Sequence, residues 1–220
     1  LDDLLQATFL DMFGDPVTNP KGWPVKVLEN IVSNDCSVSY GIVQPGDFVE
    51  DGIPVVRPVD LDNGVIQVSA LKKIAPDIAG KYPRSFLKGN ELLLTVRGSI
   101  GAVYLTSNEF AGSNVTRGIV PLRFNERIAN KEFVYCMFQT ESFKGYFKKI
   151  SKGATLVQLN INELRKVPII LPAMEYQKAF KDIFLSLTSN KSRLEEASKK
   201  MDNTFNSLMQ RAFKGELELK

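Results

Sequence analysis

The chain has 220 residues, 44% of them hydrophobic, enough to bury one core of ordinary size with an appended element. It has no histidine and only two distant cysteines, Cys36 and Cys136; the usual general base is missing, a tetrahedral zinc site cannot be filled, and the absence of a disulfide framework fits a reducing cytoplasm. The net charge of +3 is uneven: residues 14–71 carry three Lys/Arg against eight Asp/Glu, and residues 72–152 fourteen against six, so the second stretch has the balance of a phosphate-facing surface or, equally, of an ordinary solvated one.

Leu1, Leu4, Leu5, Phe9 and Met12 share one stripe at helical spacing, and Gly14 followed by Pro16 stops it, which predicts a helix over 1–13. Leu1 is not an initiator methionine and no capping residue precedes the stripe, so the helix is expected to start upstream. Residues 14–172 read as one compact α+β domain. Short β-rich runs at 38–43, 53–57, 65–69, 92–97, 102–106, 119–124 and 167–171 are separated by turns such as Gln44-Pro45-Gly46, Asp62-Asn63-Gly64 and Lys88-Gly89-Asn90. Helices are predicted at 131–139 and 142–150, the second with Phe143, Tyr146, Phe147 and Ile150 on one core-facing side.

Several chemistries find no residues here. The longest apolar runs, 91–96 and 167–171, are too short to span a bilayer, so no membrane partner is expected. There is no Gly-Lys-Ser/Thr loop and no Gly-x-Gly-x-x-Gly fingerprint; Gly98-Ser99-Ile100-Gly101 reads as a turn between strands. Glu50-Asp51 and Asp60/Asp62 read as solvated turn residues, which leaves no tight acidic cluster for a metal.

Over residues 173–214 the chain has neither proline nor glycine, which allows a helix about 60 Å long. Phe180, Leu187, Leu194, Met201 and Leu208 recur every seven residues, with Ile183, Phe184, Ala197, Phe205 and Ala212 as a second seam that lapses at Asn190-Lys191. A small domain cannot cover such a stripe, so a partner helix is expected. Arg211, Lys214 and Gly215 close the helix, and residues 215–220 form a tail. The closing "SLMQRAF" also matches the opening "DLLQATF" at a constant offset of 204, pairing Leu4 with Leu208, Leu5 with Met209, Gln6 with Gln210 and Phe9 with Phe213.

The closing helix, the leading "LLQATFLDMFGDPVTNPKGW", the segments "SYGIVQPG" and "GIPVVRPVDLDNGVI", and "GATLVQLNINELRKVPIILPAMEYQ" together resemble the DNA-specificity subunits of type I restriction-modification systems. The resemblance covers essentially the whole chain in order. It implies a target recognition domain followed by a long spacer helix, with residues 1–13 as the end of a preceding helix. It also implies no catalysis in this chain: modification subunits bring S-adenosylmethionine and methylate adenine, and a restriction subunit cleaves. The second recognition domain of such subunits is missing here, so the chain is either a natural half-subunit that pairs with itself or a piece of a longer one. No adenine-methyltransferase motif occurs beyond the superficial "DPVTNP", and no nuclease core follows Pro76-Asp77.

Under that reading Lys72, Lys73, Lys81, Arg84 and Lys88 are the phosphate-contact candidates. Arg97 and Arg117, beside turn glycines, could reach guanine O6 and N7; Asn114 could pair with adenine and Thr116 with either edge. Tyr40-Gly41 and the loop with Lys152 and Thr155 join them because the resemblance puts such loops near DNA. The expected helix interface is Leu4, Phe180, Leu187, Leu194, Met201, Phe205 and Leu208, giving a two-fold homodimer. The alternative is a coiled-coil adaptor whose globular domain binds protein.

Overall fold

A computed structural model of the chain describes residues 2–62, 66–151 and 157–214. The opening helix, α1 (Asp2–Phe13), ends where the sequence demands. Gly14 takes φ 76°, a conformation that L side chains rarely adopt, and its N–H donates to Leu10 O at 2.8 Å. Lys21 Nζ then caps the free carbonyls of Asp11 and Met12 at 2.6 and 3.0 Å, and Trp23 Nε1 donates to Phe13 O at 2.9 Å. The buried face is Leu5, Phe9 and Phe13; Leu4, placed on the stripe by spacing, is half exposed.

The closing helix, α7 (Met174–Phe213), is the predicted long one. Phe9 and Phe13 pack on its Phe180 with ring centroids at 5.5 Å in both cases, while Asp2 pairs with Lys191 at 2.7 Å. α1 therefore runs antiparallel to the first half of α7. Buried Gln177 fixes the root of α7: its Oε1 accepts from Asn130 N at 2.9 Å and its Nε2 donates to Pro172 O at 2.9 Å. Two corrections follow. Phe180, assigned by spacing to a helix–helix interface, is 0% exposed inside the chain's own core, and Leu187 packs partly against that core. Beyond the polar lapse the stripe is bare, and Met201 is 72% exposed.

Between these helices lie three small sheets. β1 (Val25–Val27) pairs antiparallel with β8 (Pro168–Ile170). β2 (Ile53–Val56) lies between antiparallel β3 (Lys72–Ile74) and parallel β6 (Asn114–Val115). β4 (Leu92–Thr95) lies between antiparallel β5 (Val103–Leu105) and β7 (Ile119–Leu122). Side chains alternate along a strand, and here both faces are used: Leu92 and Leu94 enter the main core while Leu93 enters a second, smaller one. That explains why this run reads as continuously apolar.

Helices α4 (Lys131–Gln139) and α5 (Glu141–Ile150) close the main core. Asn130 caps α4 by accepting from Glu132 N and Phe133 N, and Thr140 caps α5. Phe143 and Phe147 are buried, with Tyr146 and Ile150 packed at their edge, as predicted. Single helical turns, α2 (Pro58–Asp62), α3 (Pro76–Gly80) and α6 (Ile161–Arg165), connect the sheets. Asp60 is not solvated: its carboxylate accepts from Arg57 N, Nε and Nη2 at 2.8, 3.1 and 2.7 Å.

Other expectations fail where elements are too short to carry a period. The predicted strand at 38–43 is irregular apart from a bridge between Ile42 and Thr116, and the described part of 65–69 leads into a single 3-10 turn, Val68–Ala70. β1, β3 and β6, of two or three residues each, were not anticipated.

Candidate nucleic-acid interface

Four segments meet at one edge of the fold, and backbone hydrogen bonds set their register. Ile42 N donates to Val115 O and Arg117 N to Ile42 O, both at 2.8 Å; Val96 N donates to Gly118 O at 2.8 Å and Leu159 N to Val96 O at 3.0 Å. Gly41 permits the first crossing: a Cβ there would lie 2.1 Å from Val115 O. Tyr40, Arg97, Thr116 and Arg117 are thereby gathered.

Each arginine is held by its neighbours. Arg97 Nη2 donates to Gln158 Oε1 at 2.7 Å, and the Arg117 guanidinium stands over the Tyr40 ring at 5.7 Å. Tyr40 in turn donates its hydroxyl to Leu159 O at 3.3 Å. Beside this rim a cleft of about 330 Å³ is lined by Tyr40, Lys81, Tyr82 and Arg84. Lys81 and Arg84 are exposed, so the rim and the cleft form one surface with four basic side chains. On the other side of Arg97 a second hollow, of about 430 Å³, lies between the turn from Gly98 and Lys144 and Lys148 of α5.

The remaining sequence candidates have other duties. Asn114 is fully buried; its Nδ2 donates to Tyr82 O at 3.3 Å and its Oδ1 accepts from Val115 N at 2.8 Å. It cannot meet an adenine edge, because a buried amide must satisfy itself within the fold. Gly41 is likewise buried and acts through register. Half-buried Thr116 bonds Val56 O at 3.4 Å. Lys72 and Lys73 reach Gly46 O and Glu50 O at 2.6 and 2.9 Å, tying down the 46–50 loop rather than lining the cleft. Lys88 is paired with Asp35, whose carboxyl is held down at about 2, chiefly by the hydrogen bond from Lys88 and then by that from Ser33. Lys152 and Thr155 lie outside the described residues.

Sequence reasoning missed Gln158 and Lys148. Gln158 stands inside the segment "GATLVQLN", where its spacing to Arg97 carries no signal because a bridge between distant segments joins them. Lys148 is an exposed lysine on the polar side of α5, where residue type and spacing carry no signal of their own.

Comparison with known proteins bears on what this surface is. A family model for the type I restriction modification DNA specificity domain matches residues 40–201. The chain belongs to that family. It is 27% identical over 202 residues to the type I restriction enzyme EcoBI specificity subunit of Escherichia coli, covering 90% of this chain and 42% of that subunit. It is 22% identical over 195 residues to the MjaVIII specificity subunit of Methanocaldococcus jannaschii, covering 84% and 45%. The crystal structure of the HsdS subunit from Thermoanaerobacter tengcongensis shares the fold at a TM-score of 0.59 and 18% identity, over 97% of this chain and 51% of that one. The chain thus spans about half the length of the relatives it matches, and they are specificity subunits rather than catalytic ones. Among the described residues no cluster of three or more His, Cys, Asp or Glu could hold a metal, and no helix is long and apolar enough to cross a membrane.

Proposed function

We propose that this chain reads one half of a bipartite double-stranded DNA target, without chemistry of its own. In this reading residues 14–172 are the recognition domain and residues 173–214 a spacer helix that also docks methyltransferase subunits. The observation that carries it is the convergence of Tyr40, Arg97 and Arg117 on one rim, beside a cleft flanked by Lys81 and Arg84, in a chain of the DNA specificity family.

Phosphate contacts set position and base contacts set sequence. Lys81 and Arg84 supply the first. Arg97 and Arg117 supply the second, since a guanidinium can donate in parallel to guanine O6 and N7. Gln158 and the Tyr40 ring hold these forks before DNA arrives, so less side-chain freedom is lost on binding. Lys152 and Thr155, outside the described residues, are DNA-contact candidates by resemblance alone. Methylation belongs to the partner subunits, which bring S-adenosylmethionine, and cleavage to a restriction subunit that joins through the complex, all in the cytoplasm. Two copies paired about a two-fold axis through Leu194, Met201, Phe205 and Leu208 would read an inverted repeat.

The test uses the complex assembled with its methyltransferase subunits and the site found by methylome sequencing of the source cell. Arg117→Ala should cost about 1–3 kcal/mol of specific binding, about five- to 150-fold, and relax one base position. Replacing both Lys81 and Arg84 by Ala should flatten the salt dependence. Unchanged specificity and salt slope together would sink this assignment of the rim. The bare stripe of α7 is also what a coiled-coil adaptor would carry; a pulldown rich in other proteins but without an adenine methyltransferase would favour that reading.

A further inference from the structure

Resting on the two-fold pairing proposed above and deepening it, we propose that the groove occupied by α1 is the docking site for residues 207–213 of a second copy's α7. α1 is then the intramolecular occupant of the same site.

The two segments share Leu–Leu/Met–Gln–x–x–Phe at one offset. In α1 the groove-facing members are buried: Leu5 and Phe9 pack into the core, Phe9 against Phe133 and Phe180 at 5.4 and 5.5 Å, and Gln6 Nε2 donates to Cys136 O at 3.3 Å. Their counterparts in α7 are bare, Met209 being 39% and Phe213 84% exposed. One apolar pattern is thus covered once and uncovered once. An apolar stripe at the end of a projecting helix is stable only against a complementary surface, and the surface that fits this pattern is already present in the fold.

Helix length excludes self-docking. Phe180 is part of the groove, and Phe213 lies about 50 Å farther along the same continuous helix at 1.5 Å per residue. Within these 220 residues the same helix cannot fold back to deliver the segment, so we assign it to a second copy. Direction agrees as well: α1 runs antiparallel to α7 with Asp2 opposite Lys191. In the register of the match, a second α7 brings its Asn206 opposite Lys191 and its Phe213 to the place of Phe9. The rest of that helix then runs back along the bare face, covering Leu194, Met201 and Phe205. A single antiparallel approach therefore covers both the helix end and the stripe. The exchange replaces Leu5, Gln6 and Phe9 by Met209, Gln210 and Phe213. It gives up the Phe13 ring contacts with Phe133 and Phe180 and bares the displaced face of α1, so the burial gained along the stripe must offset that loss. It loses the exposed pair of Asp2 with Lys191, since Asn206 carries no charge. Chain concentration and the extra burial along the stripe decide which occupant holds the groove.

The test is photo-crosslinking of the full chain with benzoylphenylalanine in place of Phe213, irradiated across a concentration series. The expected product is a dimer crosslinked at Phe133, Cys136 or their neighbours in the second copy's groove. Crosslinks confined to the stripe around Leu194 and Met201 overturn the exchange but leave the pairing; the absence of any crosslinked dimer overturns the pairing itself. Phe9→Ala loosens the intramolecular occupant and should tighten self-association at least ten-fold, whereas Phe213→Asp, at an exposed position, should weaken it at least ten-fold. A Phe9→Ala chain that folds by circular dichroism yet associates no better than the parent refutes the competition.

Discussion

Phe180 and Met201 occupy the same heptad phase of α7, three heptads apart, and replacing each by Ala separates the two halves of that helix. Phe180 is fully buried, with the rings of Phe9 and Phe13 both 5.5 Å away. Truncating such a residue costs about 3–5 kcal/mol, of which each lost aromatic pair accounts for about 0.5–1.5 kcal/mol. In a chain of this size about 2–4 °C of melting temperature follows each kcal/mol, so Phe180→Ala should lower the midpoint by roughly 10 °C. Met201 is bare in the single chain, and Met201→Ala should stay within about 0.5 kcal/mol of the parent when melts are recorded below the concentration of self-association. The assay is thermal unfolding by circular dichroism or calorimetry across a dilution series. Equal shifts for the two variants, or a Phe180→Ala loss under about 1 kcal/mol, would refute the division of α7 into a core-building half and a projecting half.

Two further outcomes concern charged groups. Glu91 is fully buried and accepts from Arg123 Nη1 at 2.6 Å as well as from the backbone N–H groups of Lys88 and Gly89; Arg123→Met would strand that carboxylate and should cost about 3–5 kcal/mol in urea unfolding at neutral pH, and an unchanged midpoint would show that the pair does not brace the turn before β4. Asp35 is held down from 3.8 to about 2, so its pairing stabilises the fold fully above pH 3.8 and the contribution is lost as pH falls through about 2. Lys88→Ala should move the Asp35 titration, followed by carboxyl NMR, up toward its ordinary value and reduce the pH dependence of stability between about pH 4 and 2; a titration that stays near 2 would make Ser33 or Arg123 the cause instead.

The long helix, its stop at Gly14 for α1, and the pair α4 and α5 were legible because each carries several turns of apolar period and a chemical cap. The Leu92 run was legible for a different reason, because burial on both faces makes it continuously apolar, and such short runs between turns beside the helices gave the α+β class. Elements of two or three residues were not: β1, β3 and β6 offer too few positions for alternation to show. At the interface, Arg97, Arg117 and Tyr40 could be singled out by residue type beside turn glycines, yet Asn114 has the same kind of neighbourhood and turns inward. Gln158, which orients Arg97, is invisible in one dimension.

By itself the sequence determined helices α1, α4, α5 and α7, the family resemblance, the uneven charge and the repeated end pattern, since each rests on residue type and regular spacing. Tertiary structure alone decided which copy of that pattern is covered, that Phe180 belongs to the core while Met201 is left bare, and which basic side chains meet on one rim. Those outcomes depend on contacts between residues far apart in the chain, and heptad spacing is identical on the packed and the unpacked half of a helix.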